Sequence, residues 1–119
     1  MSIISIVLVI LVASLFFYIM YLETIVTDSD TTARVFNMEL SELKRPSLNV
    51  LFKNQGIYNG LLGVLLLYAT FFVTYPKEFV APILVYMIVV AAYGAITSDK
   101  MIIVKQGGLP ILALLSLLF

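Results

Sequence analysis

The chain has 119 residues, of which 62% are hydrophobic and 12% charged; its net charge is zero and its mean hydropathy is +1.11. So apolar a composition excludes an ordinary soluble domain, and at roughly 20 apolar residues per membrane helix the length divides into about four spans. With no Cys and no His, the thiol and imidazole ligands of zinc, haem and iron–sulfur centres are missing, so no metal and no cofactor is expected; without a basic run, neither is nucleic acid.

The expected fold class is all-α: a four-helix transmembrane bundle forming one integral membrane domain, with a short interfacial amphipathic helix between helices 1 and 2. Helix 1 covers about residues 3–25 and is apolar all round until Glu23, as a lipid-facing or buried span should be. It lacks a positive n-region and a small-residue cleavage site, so it reads as a retained helix and not as a signal peptide. The polar stretch that follows places Phe36, Leu40 and Leu43 at i, i+4 and i+7 before Pro46, which predicts an amphipathic segment over about 31–45 lying in the membrane interface. An irregular loop is the alternative for that stretch.

Helix 2 is expected over about 50–74, starting at Val50 or Asn54 and ending before Pro76, whose ring disfavours a helical residue ahead of it. Helix 3 is expected over about 78–97, with Pro82 near its first turn. Helix 4 is expected over about 101–119, with Pro110 inside it, which predicts a kink. Six of the seven Lys and Arg residues lie in or beside the two loops that follow helices 1 and 3, and only Lys77 lies on the other side. Cytoplasmic loops carry such an excess, so both termini are expected outside the cell membrane.

Most polar side chains of the spans fall at the ends that this topology puts near the cytoplasm. Glu23 closes helix 1; Asn54, Gln55 and Asn59 open helix 2; Tyr93 and Thr97 close helix 3; Gln106 opens helix 4. Gln55 and Asn59 are four apart and share a helix face, while Gly56 and Gly60 form a small-xxx-small pair that lets another backbone approach. Amides and carboxylates in a bilayer are unfavourable unless paired, so these residues are expected to face the bundle interior. Three readings fit them: a ligand-binding pocket opening to the cytoplasm, a hydrogen-bonded plug that fixes helix register, or polar groups that simply sit in the headgroup zone. Glu23 is the sharpest single residue, since as a carboxylate it would bind a cation and as a neutral acid it would carry a proton. The tyrosines Tyr18, Tyr21, Tyr58, Tyr68 and Tyr75 lie largely near segment ends, where aromatic belts form.

The strings YLE at Tyr21 to Glu23, NQGIYNG at Asn54 to Gly60, YG at Tyr93 and Gly94, and KQGGLP at Lys105 to Pro110 together resemble domain of unknown function 1304. This is a family of small bacterial integral membrane proteins, and the resemblance covers essentially the whole chain. One departure is the additional glycine before Leu109 and Pro110. The resemblance implies four membrane helices in a bacterial inner membrane and no assigned activity.

Function is therefore expected from the cluster. The first reading is a protein that binds or carries a small molecule or an ion at the polar site, with a lipid ligand also in view. A membrane enzyme acting on a lipid or isoprenoid ranks lower, because Glu23 has no evident second titrating partner for acid–base chemistry. The remaining reading is a structural or accessory subunit, with homo-oligomers open to any of the three.

Overall fold

The computed structural model describes residues 1–119, all-helical with no strand. In chain order the elements are α1 (Ile3–Met20), a π-helical turn (Tyr21–Ile25), α2 (Asp30–Val35), α3 (Leu40–Leu43), α4 (Pro46–Phe71), α5 (Pro76–Thr97), α6 (Ile102–Lys105) and α7 (Gly108–Ser116).

Three stretches are long and apolar enough to cross a membrane: Ile3–Ile25, Pro46–Phe71 and Pro76–Thr97, of 23, 26 and 22 residues. At 1.5 Å per residue they are about 33 to 39 Å long, enough for a hydrocarbon core of about 30 Å. Much of their outer surface is apolar, with Val7, Leu11, Leu61, Val64, Val85 and Val89 among the exposed residues. Such a surface suits lipid and not water.

The fourth segment differs from the expected helix over 101–119. It is broken into α6 and α7, and α7 has nine residues, about 14 Å of helix, too short to span alone. Pro110 is the cause, acting one turn upstream of its own position. It offers no N–H to the carbonyl of Gln106 and its ring crowds that carbonyl, and the helix breaks at Gln106–Gly107. Pro110 itself then occupies the first turn of α7, where a missing N–H leaves nothing unpaired. Three full-length helices and a broken fourth are thus present, not a clear set of four.

Prolines also set two helix starts that the sequence placed later. Pro46 and Pro76 each take the first position of their helices, α4 and α5, because a fixed φ near −65° suits that position. Starting α5 at Pro76 puts Pro82 inside the helix.

The chain forms two compact units, Met1–Leu15 with Gly63–Phe119, and Phe16–Leu62. In the first, the core comprises Val9, Val12 and Ala13 of α1, Leu66 and Ala69 of α4, Val80, Leu84, Met87 and Ala91 of α5, and Ala113 of α7. Gly107 lies where an added Cβ would meet the Ala91 Cβ at 3.2 Å, so the break between α6 and α7 rests closely on α5. A polar clasp joins α1 to α7. Ser5 Oγ, fully buried, donates to the Ser116 carbonyl at 3.0 Å and lies 2.8 Å from Ser116 Oγ. Hydrogen bonds between membrane helices contribute about 0.6 to 2 kcal/mol. Ser5→Ala should destabilise by about 1 kcal/mol in thermal or denaturant unfolding, and Ser116→Ala by less, because the Ser116 carbonyl can still accept from Ser5 Oγ; the double variant should lose little more than Ser5→Ala.

In the second unit the expected interfacial helix over 31–45 is two short helices. The chain turns at Asn37, whose φ of 55° is left-handed, a conformation Asn tolerates better than most residues. Met38 N–H donates to the Ala33 carbonyl at 2.9 Å and Asn37 N–H to the Arg34 carbonyl at 3.3 Å, the paired bonds of a Schellman ending. Leu43 is nevertheless fully buried, and Phe36 meets Phe52 edge to face at 5.4 Å. The apolar spacing therefore marked the inward side of this segment but not its break.

Candidate functional site

The end of the first span builds the most distinctive feature of the chain. Val26 N–H donates to the Tyr21 carbonyl at 3.1 Å, five residues back, which closes a π-helical turn around Glu23. Such turns insert one extra residue into the helical register and recur at functional sites. Carbonyls at a helix end need partners, and threonines supply them here. Thr27 Oγ1 donates to the Glu23 carbonyl at 2.6 Å. Thr32 Oγ1, fully buried, lies 2.8 Å from the Val26 carbonyl and 3.1 Å from that of Leu22. Ser29 holds Thr32 in place by accepting its N–H at 3.2 Å as the cap of α2.

Glu23 is 4% exposed, and its carboxyl accepts a hydrogen bond from Asn59 Nδ2 at 2.6 Å. The two meet because α4 presents glycine at the approach. An added Cβ on Gly56 would collide with Thr24 Oγ1 and stand 3.0 Å from Glu23 Cβ, and one on Gly60 would collide with Met20 Sδ. Thr24 Oγ1 donates to the Lys53 carbonyl at 3.3 Å, a further tie between the π-turn and α4. The small-xxx-small pair thus admits the helix that carries Glu23.

The other sequence candidates stand apart from this pair in kind. Asn54 and Gln55 lie on α4 but are exposed. Tyr93, Thr97 and Gln106 belong to the unit containing α5 to α7. Tyr93 is 69% exposed, Thr97 is exposed with its hydroxyl bonded to the Tyr93 carbonyl at 2.8 Å, and Gln106 is half-buried at the α6–α7 break. The expectation that the amides and the carboxyl face inward therefore does not describe Asn54 or Gln55. Tyr93 and Thr97 lie in the last two turns of α5, and Asn54 and Gln55 lie in the first half of α4, on its exposed side. Sequence reasoning missed Thr27 and Thr32. Ser29 three residues before Thr32 was the available signal, as the spacing of a helix cap to the N–H it receives.

Chemically, the pair presents one carboxyl whose geometry is fixed by an amide donor and by the capped π-turn. No group of three or more His, Cys, Asp and Glu residues is placed to hold a metal ion. The arrangement suits a single cation or a hydrogen-bond donor, by direct contact with the carboxyl.

Residues 10–118 match the family described as Protein of unknown function (DUF1304). An uncharacterized protein, YpaA, from Lactococcus lactis subsp. lactis (strain IL1403) is 59% identical over 119 residues, covering 100% of both chains. No solved structure matches this chain. The match spans nearly the whole sequence, and the chain belongs to the DUF1304 family of proteins of unknown function.

Proposed function

We propose that this is an integral membrane protein that binds or carries a small cation, inorganic or organic, with Glu23 as the counter-charge and Asn59 holding its carboxyl. The observation that carries the reading is a buried acid inside a membrane-spanning stretch, set in a π-helical turn and oriented by one amide. Buried ionisable groups in membrane helices are disfavoured unless they serve a purpose, and they mark ion and substrate paths in membrane proteins. In this reading α6 and α7 complete a four-helix bundle as a broken span, the loops rich in Lys and Arg are cytoplasmic, and both termini lie outside. Asn54 and Gln55, exposed on the helix that carries Asn59, then form the polar approach to the site from the cytoplasmic surface.

One observation favours a second reading, a structural clasp. Every buried side-chain nitrogen and oxygen has a hydrogen-bond partner, and the glycine contacts pack Glu23 closely, as a device for fixing helix register would require.

Native mass spectrometry of the detergent-purified protein separates the two. Wild type should carry a specific small cationic mass that is absent from Glu23→Gln and Asn59→Ala, with both variants still folded. Glu23→Gln is the cleaner test, because a glutamine carbonyl can still accept from Asn59. No bound mass in any form, together with less stable variants, would support the clasp and contradict the binding site.

A further inference from the structure

Where α4 ends and α5 begins, two cavities share Glu78 in their walls. One, of about 460 Å³, is walled by Leu65, Tyr68 and Ala69 of α4 and by Phe79, Pro82 and Ile83 of α5. The other, of about 330 Å³, lies at the connection between the helices and is lined by Met1, Thr74, Tyr75, Pro76 and Lys77 as well. An apolar slot thus runs into a mouth whose side chains carry hydroxyl, ammonium and carboxylate groups. That is the division of an amphiphile, with a hydrocarbon tail and a polar head.

The slot follows from the sequence. Leu65, Tyr68 and Ala69 lie at i, i+3 and i+4, and Phe79, Pro82 and Ile83 repeat the spacing, so each set forms one helix face. Ala69 is small, and Pro82 has no N–H to offer the Glu78 carbonyl one turn earlier. Lys77 and Glu78 have no ion-pair partners; the pairs in this chain are Arg45 with Glu42 and Lys105 with Asp99. Charges of both signs at the mouth, Lys77 with Met1 beside it and Glu78, complement a head that carries both signs. An anionic head would satisfy the ammonium side and leave Glu78 facing a like charge.

We propose that this composite groove binds one zwitterionic phospholipid, its acyl chain between α4 and α5, its phosphate toward Lys77 and its ammonium toward Glu78. The proposal rests on the long helices being embedded in a membrane and not on the cation reading of Glu23 and Asn59. The test is to offer delipidated protein phosphatidylethanolamine and phosphatidylglycerol with identical chains and to count retained lipids by native mass spectrometry. Wild type should retain one lipid per chain, favouring phosphatidylethanolamine about threefold or more, as expected for exposed charge pairs. Glu78→Gln should bring the ratio close to one. Phe79→Ala should lower retention of both lipids and leave the ratio unchanged; Phe79 is 54% exposed, so its truncation spares the core. Equal retention by wild type, a ratio unmoved by Glu78→Gln, or no retained lipid would overturn the proposal. So would a lipid-free dimer lost in Phe79→Ala, which would assign the groove to a second copy of the chain.

Discussion

Gly56→Leu should unfold the region around Glu23 or prevent the protein from folding at all. Even a single Cβ at Gly56 collides with Thr24 Oγ1 and crowds Glu23 Cβ, and a leucine adds three more carbons to the same place. Overpacking of a well-filled site destabilises by about 1 to 3 kcal/mol, and a clash against a β-branched residue tied into a π-turn belongs at or above the upper end. Domains of marginal stability do not absorb much more than that. Gly60 offers an internal comparison. The atom that blocks it is the sulfur of Met20, at the far end of a flexible side chain that can swing aside. Gly60→Ala should therefore be tolerated better than Gly56→Ala, and Ile57→Leu, at an exposed neighbour, should be neutral. Thermal unfolding in detergent, with size exclusion to show monodispersity, checks the order.

The second large effect comes from the pair itself. Asn59→Leu keeps the branched shape and removes the donor, which leaves the Glu23 carboxyl without its 2.6 Å partner. Stranding a buried polar group destabilises by about 1 to 3 kcal/mol, and by more where the group is charged. Replacing both partners with apolar residues is often close to neutral. Glu23→Leu with Asn59→Leu should therefore recover much of the stability that Asn59→Leu loses. The recovered double variant would be folded and without function if the carboxyl is the binding group. A double variant as unstable as the single one would show that Glu23 and Asn59 are not each other's main support.

How far the sequence revealed this arrangement depended on the physical signal available. Apolar runs marked the three long helices, because length and composition alone decide whether a helix can cross a bilayer. Gly56 and Gly60 announced a close approach, because four-residue spacing puts both on one face. Glu23 and Asn59 were both visible as polar residues in apolar runs. Their pairing was not, since register between distant helices leaves no mark in either one. The π-turn was hidden for a similar reason: its extra residue is stabilised by Thr27 and Thr32, which read as ordinary loop residues. Pro110 was rightly a disturbance, but its effect falls on the carbonyl four residues earlier, which moved the break to Gln106. Asn54, Gln55, Tyr93 and Thr97 were grouped with Glu23 by their position near helix ends, and position along an axis does not fix the direction a side chain takes.

A cation site at Glu23 requires that cations can reach its carboxyl. Because the chain contains no cysteine, Asn59→Cys places a single thiol beside Glu23, and its reaction with positively and negatively charged methanethiosulfonates can be timed in membranes. A reachable carboxylate predicts a cationic-to-anionic rate ratio roughly tenfold above that of a free thiol in solution, whose own thiolate already favours the cationic reagent. That excess should disappear when Glu23→Gln is added. A thiol that neither reagent modifies in the folded protein, or whose rate ratio equals that of a free thiol, would contradict the cation site and leave the Glu23–Asn59 pair as a structural clasp.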